Sequence, residues 1–150
     1  MQLSAPLLAA VAMVLFAGPV QAACTVGVPT PGLLGLSADG RTLGSGQSGG
    51  LASVIVISDI SLQLGGTDIT LSNLRLDTQP AGFVEPVTLA ASYSASWLLG
   101  SSSGALAPTA TFTVPAVTGL VVTITLNNSI TSNTGFRQGG YATKTSIACS

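Results

Sequence analysis

The chain has 150 residues, a net charge of −1, four Lys or Arg, five Asp or Glu, and no His. So few cations cannot neutralise a run of phosphates, which excludes a nucleic-acid partner held by charge. Without His there is no His general base, no His-containing triad and no His metal ligand, so neither catalysis nor a cofactor is expected.

Residues 7–17 read LLAAVAMVLFA, broken by Gly18-Pro19 and followed by Val20-Gln21-Ala22. A short apolar run ending in small residues is the pattern of a cleaved signal peptide, here 1–22. The run is about half the roughly 20 residues that a membrane-spanning helix needs. It departs from the pattern in one respect: Met1 to Pro6 carries no Lys or Arg. Residues 23–150 are then one domain, exported to the periplasm, the cell surface or the medium of a bacterium. They hold 17 each of Gly, Ser and Thr. That composition makes a polar surface without charge, while patterned Val, Ile and Leu argue against disorder.

Cys24 and Cys149 stand at the two ends of that domain. Their distance along the chain excludes a C-x-x-C site. In an exported protein the simplest pairing is one disulfide tying the first strand to the last. Gln21-Ala22-Ala23-Cys24 keeps a second reading open, in which Cys24 is lipidated and anchors the protein to a membrane.

Strand patterns recur between turn signals. Cys24 to Val28 ends at Pro29-Thr30-Pro31-Gly32, and Leu33 to Ser37 ends at Ala38-Asp39-Gly40. Residues 41–50 read as a loop, with Gly at 44, 46, 49 and 50. Leu51 to Ser58 (LASVIVIS) is rich in β-branched residues and reads as a buried strand. Ser61 to Leu64 and Thr67 to Leu71 flank Gly65-Gly66 as a hairpin. In Val87 to Trp97, the residues Leu89, Ala91, Tyr93, Ala95 and Trp97 share one face. Gly100 to Gly104 reads as a flexible loop, and Thr111 to Val114 as a short strand. Val122, Ile124 and Leu126 alternate within Leu120 to Leu126, and Tyr141, Ile147 and Cys149 share a phase in the closing strand. The only candidate helical turn is Ser94 to Leu99. Seven to nine short strands predict an all-β fold, a two-sheet sandwich with immunoglobulin-like or Greek-key connections.

Chemical motifs are sparse. Gly46-Gln47-Ser48-Gly49-Gly50 matches G-x-S-x-G, but a strand follows it where a nucleophile elbow needs a helix, and no His activates Ser48. Lys144, the only Lys, lies opposite Ile147 in phase and reads as a solvated edge charge. Asp39, Asp59, Asp68, Asp77 and Glu85 lack the spacing of a Ca²⁺ loop; Asp59 and Asp68 are the pair best placed to meet across sheet edges. Asn127-Asn128-Ser129 is formally a glycosylation sequon. Trp97 and Tyr93, with Phe83 and Phe112, are candidates for stacking on a sugar or peptide.

Two short segments carry a resemblance. Ala23-Cys24-Thr25-Val26-Gly27, directly after the signal, resembles the first strand of small secreted bacterial surface proteins of the pilin and spore-coat-U type. Phe136-Arg137-Gln138-Gly139-Gly140-Tyr141, followed by an alternating strand to Cys149, resembles their closing F-x-x-G-x-Y strand. The resemblance implies an exported β-sandwich; such subunits often lack one strand, supplied first by a periplasmic chaperone and then by a neighbouring subunit. Only Ala23 stands between the cleavage site and Cys24, so no donor extension is expected, and a cysteine bridge from end to end suggests a self-contained sandwich. A cap, a tip component or a free domain remain open beside a polymerising subunit.

The resulting expectation is a non-enzymatic structural or adhesive surface protein, whose partners are the same or other surface subunits. The closing strand, with Tyr141, Thr143, Thr145 and Ile147, is the candidate partner edge, its polar side chains outward. The alternative is a carbohydrate-binding module that uses Trp97 and Tyr93.

Overall fold

The computed structural model describes residues 24–60 and 64–150. The signal segment 1–22 and most of the strand expected at 61–64 lie outside the described residues. Ten strands form within them: β1 (Thr25–Val26), β2 (Gly35–Leu36), β3 (Thr42–Gly44), β4 (Ser53–Ser58), β5 (Thr67–Thr78), β6 (Val87–Trp97), β7 (Gly100–Ala105), β8 (Ala110–Val114), β9 (Val122–Ser132) and β10 (Ala142–Cys149). All pairings are antiparallel and fall into two sheets, so the fold is an all-β sandwich.

The two most regular alternations form the centre of the larger sheet. β6 pairs with β9 from Val87 opposite Ser132 to Ser96 opposite Thr123. On its other flank β9 pairs with β4 and β3 in series, Ile55 opposite Ile124 and Leu43 opposite Ile130. Residues 45–50 loop out between those strands. The N-terminal segment then covers both, β1 on β4 and β2 on β3, with bridges Thr30–Val54 and Leu33–Leu51 between. Residues 25–36 are therefore one interrupted edge lane. Pro29 and Pro31 have no N–H to donate, which suits an edge and not a sheet interior. β7 forms the opposite edge by pairing with β6. In the smaller sheet β5 lies between β10 and β8.

The core is the inner phase of each alternation. Ile57, Ile69, Leu71, Val114, Val122 and Ile124 are almost wholly buried, with Tyr93, Ala95, Phe112 and Leu126 beside them. Each large apolar side chain so buried contributes about 1.5–3 kcal/mol. On the β7–β8 side the chain crosses from one sheet to the other at residues 106–109, where Leu106 is 3% exposed and its N–H donates to the Ala91 carbonyl. On the other side the 25–36 lane and β10 form no ladder with each other.

Cys24 and Cys149 are disulfide-bonded, their Cα atoms 6.2 Å apart, at one end of that second side. The sulfur of Cys24 is thereby engaged, leaving none for a lipid thioether. A stable disulfide is compatible with an oxidising, exported location.

Four local expectations are corrected. Gly100 to Gly104 is not a flexible loop but most of β7, held by main-chain pairing to β6; Gly and Ser carry no alternation to announce it. Thr42–Gly44, expected as loop, is strand because β9 extends to Ser132 and offers it a ladder. β5 runs to Thr78, well past Leu71, because β10 pairs along it in spite of Asn73 at φ 59°. The turn expected at Ser94 to Leu99 is the end of β6 and the tip of its hairpin.

Candidate functional site

The open seam is a groove of about 750 Å³. Its floor is the inner face of the larger sheet, where Leu43, Ile55 and Leu126 point inward. From the edge lane and its bridge partner, Val26, Leu33 and Leu51 line it at 45%, 57% and 60% exposure. They form one exposed apolar strip along the groove.

β10 makes the facing wall. Its eight residues span roughly 26 Å at about 3.3 Å each. Tyr141, Thr143, Thr145 and Ile147, the candidate partner-edge residues, all line the groove. Lys144 and Ser146 are exposed, Lys144 at the groove's rim, and Thr143 and Thr145 are half-buried on the same phase as Ile147. β10 pairs with β5 on one side only, so its outer main-chain groups have no strand partner among the described residues.

Both ends are fastened. At one end stands the Cys24–Cys149 bond. At the other, Phe83, Phe136 and Tyr141 form a ring cluster, with Tyr141 edge-on to Phe83 at 5.2 Å and to Phe136 at 5.1 Å. The Tyr141 hydroxyl accepts from the Arg137 N–H at 3.2 Å and donates to the Arg137 carbonyl at 3.3 Å. Arg137 in turn donates to the Gly82 carbonyl at 3.3 Å. This lock depends on Gly139, which has φ 147° and lies so close to Pro80 that a Cβ would collide with its ring.

Sequence reasoning missed Asn128. It stands on the inner phase of β9 between Leu126 and Ile130, and it lines the groove. Its Nδ2 donates to Thr143 Oγ1 at 3.1 Å, a polar contact across the seam. Its main chain is held by Ser45, whose Oγ accepts from the Asn128 N–H at 3.2 Å and whose N–H donates to the Asn128 carbonyl at 3.0 Å. The signal was present in the sequence as a polar residue interrupting Val122, Ile124, Leu126 and Ile130. Its place in the sequon carries no such signal, and Val26, Leu33 and Leu51 look in the sequence like ordinary strand residues.

The remaining candidates lie elsewhere. Tyr93 is 8% exposed and stacks on Phe112 at 5.3 Å, with its hydroxyl 3.0 Å from Ser102 Oγ. Trp97 is half-buried and stacks on Phe112 at 6.1 Å. Ser48 is exposed in the excursion between β3 and β4. Asp68 accepts from Thr113 Oγ1 at 2.6 Å, and Asp59 from Ser58 Oγ at 3.1 Å. Asp39 sits in the β2–β3 turn, where hydrogen bonds from the Ser37 hydroxyl and then the Arg41 N–H hold its pKa below the usual carboxylate value. Among the described residues no three His, Cys, Asp or Glu side chains cluster as a metal site.

Comparison with protein-family models, curated proteins and solved structures finds no match to this chain.

Proposed function

We propose that this protein is an exported, non-enzymatic surface component that accepts an extended segment of a partner protein as an added β-strand. The observation that carries the reading is the open seam: an apolar groove of about 750 Å³ flanked by two edges with no strand between them. Such a groove suits strand addition, in which main-chain bonds to a free edge supply affinity and inward side chains fill the gap. The reading agrees with the resemblance of both chain ends to pilin and spore-coat-U-type proteins, and with a bacterial periplasm or cell surface as the compartment. Partners of this kind are another surface subunit or a periplasmic chaperone. The carbohydrate alternative rests on Trp97 and Tyr93, whose ring faces are turned to Phe112.

The test is the size of the native protein released from its own cells, run unreduced on a denaturing gel with and without boiling. Strand-complemented species are expected as higher-mass bands that collapse on boiling. Leu51→Lys places a charge in the groove at a side chain already 60% exposed, so the variant should fold and lose those bands. A single band at the monomer mass before and after boiling refutes strand acceptance.

A further inference from the structure

We infer that the turn between β6 and β7 is a lipid-contacting tip, which seats Leu98 and Leu99 in the apolar layer of a bilayer and is held there by insertion and not by charge. The inference takes from the reading above only that the chain is exported and so meets a membrane surface. It does not depend on strand acceptance.

Leu98 and Leu99 are the two residues between Trp97 and Gly100, the last pair of the β6–β7 ladder. Two-residue hairpin turns are ordinarily built from Gly, Asn or Asp, which tolerate a positive φ and solvate the tip. Neither leucine has a positive φ, so turn geometry gives no reason for them. Folding gives none either, since they are 85% and 71% exposed. Trp97 holds them in place. Its indole lies across Gly100, where a Cβ would stand 2.9 Å from Nε1, and it stacks on Phe112 at 6.1 Å. The base of the tip is thereby pinned to the core while both leucines project into solvent.

The β6–β9 register ends at Ser96 opposite Thr123, so Val121, 49% exposed, stands at the same end of the sandwich. The Cys24–Cys149 bond is at that end too, because Val122 lies opposite Ile57 and Thr25 opposite Ser58. The charges there are acidic: Asp59 follows Ser58, and Asp68 pairs with Ser150. All four cations lie elsewhere. The Arg41 carbonyl accepts from Ser132 at the far end of β9, Arg75 stands opposite Lys144, and Arg137 belongs to the ring cluster. This end therefore offers no attraction to anionic headgroups. Shape and area decide the occupant. Two leucines on a convex turn present on the order of 200 Å² of apolar surface, far below the roughly 800 Å² that each partner of a stable protein complex buries. A bilayer accepts single projecting side chains, and a Trp beside them suits the headgroup boundary.

The experiment floats the intact oxidised protein with phosphatidylcholine vesicles, with and without phosphatidylglycerol, and measures the bound fraction. Binding is expected to be weak and reversible, unchanged by salt, and no stronger on the anionic vesicles. Leu98→Ser combined with Leu99→Ser should lower the partition coefficient about ten-fold per residue. Val84→Ser, which removes a side chain 85% exposed beside the ring cluster, should change nothing. Trp97, the only Trp, should be quenched by phosphatidylcholine brominated near the headgroup. Binding that needs phosphatidylglycerol and is lost in salt, an equal loss with Val84→Ser, an unquenched Trp97, or no binding at all overturns the inference. So does a lipid-free dimer that sedimentation shows to be abolished in the double variant, which would put a second copy on the tip. None of these outcomes bears on strand acceptance, which the boiled and unboiled gel decides.

Discussion

Removing the disulfide tests the link between the seam and stability. Cys24 and Cys149 are 125 residues apart, and in the chain-entropy treatment a loop of that length contributes about 5 kcal/mol. Native contacts do little to replace the bond. β1 pairs with β4 through only two residues, and nothing joins the 25–36 lane to β10 by a ladder. The double variant Cys24→Ser, Cys149→Ser is therefore expected to lose about 4–5 kcal/mol, which for a domain of this size lowers Tm by roughly 15–20 °C. Trp97, the only Trp, stacks on Phe112 within the core, so its emission reports global unfolding in urea. Hydrogen exchange at Thr25 and Val26 should accelerate before the core opens, because that end of the lane is then held by the short β1–β4 pairing alone. A stability difference under about 1 kcal/mol, measured with both forms two-state, refutes the argument that the bond closes a long, otherwise unsecured loop.

Three further outcomes follow from single contacts. Ile124→Ala empties a fully buried site at the centre of the sandwich and should cost about 3–4 kcal/mol by urea denaturation; a cost below about 1 kcal/mol contradicts the packing. Gly139→Ala forces a Cβ against Pro80 at a left-handed φ and should destabilise by about 1–3 kcal/mol, visible in NMR as loss of the ring-current shifts of Phe83, Phe136 and Tyr141; an unchanged spectrum contradicts the lock. Asp39 should titrate below the usual carboxylate value, and Ser37→Ala should raise its midpoint by removing the hydroxyl whose hydrogen bond does most to hold it down. Because the folded value is depressed, its contribution to the β2–β3 turn is present above the unfolded pKa and is lost as pH falls through the folded one. A carbon-detected titration that Ser37→Ala leaves unmoved removes that cause.

Much of the sandwich was legible from residue order alone, because alternation is a local property of an extended chain. Val122, Ile124 and Leu126 face inward, as do Tyr93 and Ala95, because a two-residue period with one apolar face permits only one orientation against a core. The pairing of Cys24 with Cys149 was legible as the simplest arrangement of two thiols in an exported chain. Asn128 was visible as a break in an apolar phase, but its environment was not. The structure alone set how far β5 and β9 extend, made Gly100 to Ala105 a strand, and brought Thr143 against Asn128. It also left one seam open between Cys24 and Tyr141. Pairing is a relation between segments distant in sequence. Residues with little pattern of their own, such as Gly and Ser in β7, take the structure of whatever ladder reaches them. A gap between two edges leaves no trace in the residues beside it and becomes visible only when both sheets are in place.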